Sequence, residues 1–211
     1  MIGRFISFEG PEGGGKSTQI KALAARLKAM GLEVVVTREP GGTRLAELIR
    51  TLVKEELDDA PVPRAETLLF LAARAQVCAK VVEPALSRGA WVLTDRFADS
   101  TFAYQGYGRG LDVDGLKELN AFATLGRKPD LTILLDIPPE VSAERLKLRE
   151  TATKAGADRI EAAGAAFHQR LREGFLKMAE EESSRIKLVD ASMSIEEVES
   201  EIWKLTRPLI S

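Results

Sequence analysis

The sequence has one cysteine and one histidine in 211 residues, and each scarcity closes off a kind of chemistry. Cys78 has no second thiol with which to form a disulfide or a thiolate metal site. Set in LLFLAARAQVCAKVV, it is expected to be a buried packing residue, the usual position of a free cysteine. His168, in AAFHQRLREGF, has no partner with which to share a metal and is expected to be structural or superficial. No apolar run approaches the ~20 residues that span a bilayer. The first eight residues are also too few for a signal peptide. A cytoplasmic protein with no membrane contact is the expectation. Lysine and arginine number 30 against 32 aspartates and glutamates, a net charge of −2, and no basic block is long enough to track a nucleic acid. The length suits one domain over residues 1–211, since single cores divide only beyond roughly 250 residues.

Glycine, by contrast, is concentrated. FEGPEGGGKST contains Gly10-Pro11-Glu12-Gly13-Gly14-Gly15-Lys16-Ser17-Thr18 and fits G-x-x-x-x-G-K-[ST]. In that pattern bare backbone N–H groups cradle phosphates, the lysine reaches the outer ones and the hydroxyl ligates Mg²⁺. The context agrees. An apolar run over residues 2–8 precedes the loop, and Ile20, Leu23, Ala24 and Leu27 mark a helix that Gly31 stops. The alternation then recurs, with strands expected over 33–37, 90–94, 130–136 and 185–190. Helices are expected over 45–57, 64–87, 113–125, 139–149, 159–182 and 195–206. Strands alternating with amphipathic helices predict an α/β protein, a mostly parallel sheet covered on both faces, with ligands at the carboxyl ends of the strands. Residues 150–158, ETATKAGAD, read as a mobile lid, about 145–160 with its flanks.

A phosphate loop also serves GTPases, motors and sensors, so the class has to come from other residues. The guanine-reading N-K-x-D signature is missing, which counts against a GTPase. Arg38-Glu39 closes the second expected strand and Asp95-Arg96 the third, bringing arginine and carboxylate twice to one rim. A guanidinium there can hold phosphate oxygens bidentately, and a carboxylate can hold metal-bound water or a sugar hydroxyl. An ordinary Asp95–Arg96 ion pair is the competing reading. Taken together, EGPEGGGKST, TREPGGT, DRFADSTFAYQGYGRG, PDLTILLDIPPEVSAER, DRIE and VDAS strongly resemble the bacterial thymidylate kinases, over nearly the whole chain and in the family's order. The resemblance implies the three-layer P-loop kinase fold, a five-stranded parallel sheet in the order 2-3-1-4-5, and a homodimer. It also implies Mg²⁺-dependent transfer of the γ-phosphate of ATP to dTMP.

The same resemblance implies a nucleobase site of Phe70, Arg74, Ser100, Thr101, Tyr104 and Gln105, with Tyr104 crowding the sugar 2′ position. Phe70 and Arg74 are four residues apart on one expected helix, so a stacking face and a donor for a base carbonyl point the same way. Plain helical packing is the alternative for Phe70. Glu12 matches the carboxylate at the acceptor's 3′-hydroxyl and phosphate, while Arg38 and Arg96 match the arginines that hold the dTMP phosphate. Lys16 is implied at the β- and γ-phosphates, Ser17 at Mg²⁺, Asp95 at metal-bound water, and Asp190 in the adenine-side loop. Gly13 stands where eukaryotic-type relatives have an arginine, so a lid residue must supply that charge. Arg149 matches the bacterial lid arginine, with Arg145, Lys147 and Lys154 as neighbouring alternatives. The implied catalytic set is therefore Lys16, Arg96, Arg149, Asp95 and Glu12. Rival readings are a kinase for a different nucleotide or a deoxynucleoside, and a P-loop protein that binds nucleotide without transfer.

Overall fold

Five strands, β1 (Phe5–Glu9), β2 (Val34–Arg38), β3 (Trp91–Asp95), β4 (Leu131–Asp136) and β5 (Ile186–Asp190), form one parallel sheet in the order β2-β3-β1-β4-β5. The computed structural model describes residues 2–55, 58–153 and 164–210, apart from the side chains of 149–153. The helices are α1 (Lys16–Ala29), α2 (Arg44–Lys54), α3 (Pro63–Val77), α4 (Glu83–Ser87), α5 (Ala98–Thr101), α6 (Val113–Thr124), α7 (Pro139–Thr153), α8 (Ala165–Glu181) and α9 (Ile195–Thr206). This is the α/β architecture and strand order that the resemblance implied.

Helices lie on both faces of the sheet, which is why FISFE of β1 is buried along its whole length. On one face Ile6 and Phe8 meet Ile20, Leu23 and Leu27 of α1 and Val198 and Ile202 of α9. On the other, Phe5, Val92 and Phe97 pack with Ile49, Val53, Val77, Cys78 and Val82. A third cluster sets Leu134 and Ile186 against Tyr104, Leu171, Phe175 and Met178. The lone cysteine is therefore a packing residue, and burial pushes its thiol up to about 12. His168 is half-exposed on α8, its ring edge-on to Phe167. No helix among the described residues is long and apolar enough to cross a membrane.

Four expectations about local structure need correction. Residues 98–108, which fall outside every expected helix and strand, are helical: α5 runs into a π-helix at Phe102–Gly108. The glycines there serve close packing, since a Cβ on Gly108 would lie 2.5 Å from the Phe167 ring. The single helix expected over 64–87 is divided by a π-turn at Cys78–Val82, just before Pro84, which has no N–H to continue the ordinary ladder. Helix α7 continues past Arg149 to Thr153, so the first part of the expected lid is helical, while residues 154–160 lie outside the described residues. The first strand also starts later than expected, at Phe5, and Ile2 is exposed.

Each strand ends in a charged residue, and because all run parallel, Glu9, Arg38, Asp95, Asp136 and Asp190 arrive at one rim. Helix α1 starts at that rim with no acidic residue in its first turn, leaving its positive N-terminal dipole end uncompensated. The chain turns between them through Gly10 at φ +123°, where a Cβ would come 2.2 Å from the Leu135 carbonyl oxygen. A side chain fits there only if backbone moves. Gly10→Ala should lower the unfolding free energy by roughly 2–3 kcal/mol; thermal and denaturant melts would check this, and an unchanged midpoint would show that the turn can relax.

Candidate active site

The loop from Gly10 to Lys16 turns through left-handed backbone at Gly13 and Gly15, with φ of +74° and +84°. Gly15 caps α1 without a side chain, so the helix's first N–H groups are not covered by a polar cap. Lys16 is 6% exposed and folds back over the loop, its Nζ donating to the Gly10 and Pro11 carbonyls at 3.1 and 2.8 Å. Burial and the neighbouring Arg96 lower its pKa, against the pull of Glu12 and Asp95. Ser17 Oγ donates to Asp95 Oδ2 at 3.0 Å on the exposed side of the loop. Thr18 follows on the first turn of the helix, where its N–H donates to the Gly15 carbonyl at 3.0 Å.

Arg96 joins this loop to the other half of the cleft. Its Nη2 donates to Glu12 Oε1 at 2.7 Å, and its Nη1 donates at 3.1 Å to both the Gly10 carbonyl and Ser100 Oγ. The guanidinium also lies 4.9 Å from the centre of the Tyr104 ring. Burial opposes its charge but is outweighed by Tyr104, Glu12 and Asp95, and its pKa lies well above the ordinary value. Burial alone would likewise raise the carboxyl of Glu12, yet Lys16 and Arg96 hold it far below the usual range. Arg96 has φ +74°, a costly conformation for a residue with a side chain. Glu9 secures that turn: its Oε1 accepts from the Phe97 N–H at 2.7 Å, and a 2.5 Å hydrogen bond joins its Oε2 to Ser100 Oγ.

Beyond Arg96 lies the expected acceptor side. Arg74 is buried, its Nε donating to Glu39 Oε2 at 2.7 Å, Nη1 to Thr101 Oγ1 at 2.7 Å and to Asn120 Oδ1, and Nη2 to the Phe97 carbonyl at 2.9 Å. Among the described residues one hydrogen on Nη2 has no partner. Phe70 is half-buried against the second core cluster, one helical turn before Arg74. Gln105 Nε2 donates to Glu66 Oε1 at 3.1 Å, and Tyr104 packs edge-on against Phe167 and Phe175. At the open edge Arg38 forks onto both oxygens of Glu47 at 3.0 Å.

The structure thus brings Lys16, Ser17, Glu12, Asp95, Arg96 and Ser100 into one connected set, and reaches Thr101 and Arg74 through Phe97. Arg145 Nη1 donates to the Gly13 carbonyl at 3.3 Å, which puts it over the phosphate loop. Asp190 stands apart at the end of β5, accepting from the Ser192 N–H and hydroxyl at 2.9 and 2.6 Å. The side chain of Arg149 and the whole of Lys154 lie outside the described residues. Sequence reasoning missed Glu9 and Asn120, and it read Glu39 as a rim carboxylate for water or a sugar hydroxyl where the structure makes it the buried partner of Arg74; the bonds of these residues to Arg74 and Ser100 span 35 to 91 positions of the chain. Of the two missed, Glu9 left a signal, a carboxylate at the end of an apolar-rich strand.

A phosphate cradle faces an arginine rim at the carboxyl end of a 2-3-1-4-5 parallel sheet, a combination that puts the protein among the P-loop kinases of nucleoside monophosphates. The thymidylate kinase family model matches residues 8–202. A thymidylate kinase of Geotalea daltonii is 49% identical over 198 residues, covering 93% of this chain and 92% of its own. One from Pseudomonas fluorescens is 46% identical over 210 residues, covering 100% and 98%. The crystal structure of thymidylate kinase from Ehrlichia chaffeensis superposes with a TM-score of 0.77 at 31% identity, covering 97% and 99%. The chain belongs to the thymidylate kinase family.

Arg74 and Glu39 are 3% and 5% exposed, so neither charge can be left alone. Arg74→Ala should destabilise the fold by about 3–5 kcal/mol at neutral pH. Burial already raises the Glu39 carboxyl while Arg74 lowers it, so in the variant Glu39 should take up a proton. A carboxyl raised on folding favours the fold below its unfolded pKa of about 4.3 and loses that advantage as pH rises. The deficit should therefore be smaller at acidic than at alkaline pH. Urea titrations of both proteins across that range would show it, and a pH-independent deficit would mean that Glu39 stays ionised.

Proposed function

We propose that the protein transfers the γ-phosphate of ATP to dTMP, giving ADP and dTDP, with the residues of the rim dividing the work. The observation that carries this reading is Arg96, whose guanidinium touches the phosphate loop at Gly10 and Glu12 and the expected acceptor segment at Ser100. Two anionic substrates placed on either side of that group would share one cation. Lys16 would exchange the Gly10 and Pro11 carbonyls for the β- and γ-phosphates of ATP. Arg96, with Arg38, would bind the acceptor phosphate. That phosphate is largely ionised at neutral pH, its second pKa being near 6, so no general base is needed. Catalysis is then positioning and charge stabilisation.

The hydroxyl of Ser17 and the carboxylate of Asp95 are hard oxygen donors on an accessible edge, a set that suits Mg²⁺. No group of three or more acidic, cysteine or histidine residues among the described residues could hold a metal by itself, as befits an ion whose remaining ligands are water and phosphate. When bound, Mg²⁺ would neutralise charge on the β- and γ-phosphates. Because Gly13 offers no charge, we assign that part of the neutralisation to the arginines of α7, Arg149 first and Arg145 beside it. Phe70 would stack on the base, the remaining Nη2 hydrogen of Arg74 would meet its 4-carbonyl, and Asp190 would lie on the adenine side.

The apolar side chains Leu48 and Leu52 of α2, Leu68 of α3, and Leu119 and Phe122 of α6 with Leu125 beyond it are exposed on helices that pack in sequence, α2 on α3 and α3 on α6. We infer that this face joins two copies in a homodimer working in the cytoplasm.

Lys16→Ala should abolish transfer while leaving the fold intact; wild-type turnover in the variant would exclude Lys16 from the phosphates. Arg149→Ala should lower the single-turnover rate far more than dTMP affinity, by roughly 10³-fold or more, the range of an arginine finger. Near-wild-type transfer by Arg149→Ala and by its double variant with Arg145→Ala would show that the lid arginines carry no transferring charge. In an acceptor panel dTMP and dUMP should be used, and dCMP and UMP poorly. Comparable kcat/KM for dTMP and dCMP would mean that Arg74 does not read the base.

A further inference from the structure

Glu9 ends β1 at the rim, is 0% exposed and has a carboxyl shared between two partners, the Phe97 N–H and the Ser100 hydroxyl. The charged and titratable groups around it are Asp99 of α5, Arg96 and Asp95 at the end of β3, Lys16 of α1, Glu12 of the loop and Tyr104 of the π-helix. Each nearby guanidinium has another carboxylate. Arg96 is paired with Glu12 at 2.7 Å, and Arg185 with Asp99 at 2.8 Å through two parallel hydrogen bonds. Among the described residues no cation hydrogen-bonds to Glu9, since Lys16 donates to the Gly10 and Pro11 carbonyls, and the neighbouring Asp99 carboxylate disfavours a second negative charge there. A buried carboxyl so placed keeps its proton.

The proton has one place to go. Because Oε1 accepts from the Phe97 N–H, a proton on Glu9 sits on Oε2, and the 2.5 Å hydrogen bond, which Ser100 Oγ donates to an ionised carboxylate, then runs the other way, from Glu9 to Ser100 Oγ. Ser100 Oγ also accepts from Arg96 Nη1 at 3.1 Å. Both of its lone pairs are then filled, and its own hydrogen must point to a third atom.

We propose that Glu9 is a positioning residue that works as a neutral acid: by donating to Ser100 it turns that hydroxyl's hydrogen toward the acceptor nucleotide, beside Arg96. This rests on the reading of Arg96 and Ser100 as the acceptor's seat. Were Glu9 ionised, it would take the Ser100 hydrogen for itself, and the acceptor would lose a donor. In agreement, burial and then Asp99 push the Glu9 carboxyl up to about 8 against the pull of Arg96.

Glu9→Gln reproduces the neutral acid, with a carbonyl oxygen for Phe97 and an N–H for Ser100. At pH 7 its KM for dTMP and its kcat should stay within about twofold of wild type. Wild type should show a dTMP KM that rises about tenfold between pH 7 and 9.5 as the buried acid ionises, with no matching rise for ATP. That rise should be absent from Glu9→Gln, and an infrared band of a protonated carboxyl, present in wild type at pH 7, should be weaker in the variant. A dTMP KM raised tenfold or more in Glu9→Gln at pH 7, or an alkaline rise that persists in it, overturns the proposal. Ser100→Ala separates the two levels of the argument. It should raise the dTMP KM and remove the alkaline rise. If it leaves that KM unchanged at every pH, the acceptor is not at Ser100, and the acceptor-site reading falls together with the proposal. If Ser100→Ala is impaired but Glu9→Gln behaves as an ionised site requires, only the proposal falls. Should Glu9→Gln not fold, Ser100→Ala decides: loss of the alkaline rise supports the proposal, and its persistence overturns it.

Discussion

One part-buried guanidinium holds the two halves of this cleft in register. Arg96 reaches the phosphate loop through Gly10 and Glu12 and the helical segment behind the rim through Ser100, and it does so from left-handed backbone. The strain of that conformation, of order 1–3 kcal/mol, persists only where the surroundings over-determine it. Here they do. The Arg96 N–H donates to the Phe8 carbonyl at 2.9 Å, Thr94 Oγ1 donates to the Arg96 carbonyl at 2.9 Å, and Glu9 holds the next residue.

Around this centre the electrostatics fall into two classes. Behind the rim the polar groups are buried and mostly closed on one another: Ser7 with Thr132, Thr132 with Asp99, Asp99 with Arg185, and Arg74 with Glu39, Thr101 and Asn120. Breaking such a pair leaves an uncompensated buried group, at a cost of several kcal/mol, so this part acts as a rigid seat. At the open edge the Arg38–Glu47 pair is half-exposed and, like most surface pairs, is worth about 1 kcal/mol or less. Arg38 can therefore exchange Glu47 for a phosphate at little cost, whereas Arg74 cannot leave its partners. The difference matches fixed recognition of a base and adaptable capture of a phosphate.

The same division explains which parts of the site were legible in the sequence. The phosphate loop is a contiguous motif whose geometry is local: glycines for left-handed turns, then a helix start with nothing acidic in it. Strand and helix placement followed from hydrophobic period, and the carboxyl-end rim from parallel order. Residues 98–108 were harder, because Gly106 and Gly108 look like turn formers when their neighbours are unknown. In the fold they are the places where the π-helix packs closely on α6 and α8, at Gly108 with no room for a Cβ beside the Phe167 ring.

By itself the sequence determined the elements, the phosphate-binding loop and, through motifs shared with a known family, the chemistry expected at the rim. Those depend on residues close together in the chain, where local backbone preference and periodicity decide the outcome. Tertiary structure alone decided that Arg74 is enclosed by Glu39, Thr101 and Asn120, and that Arg96 has Glu12 for its counter-ion. It also decided that Glu9 hydrogen-bonds to no cation among the described residues. Those outcomes depend on burial and on charges brought together from distant segments, and neither dielectric nor neighbour can be read along a chain before it folds.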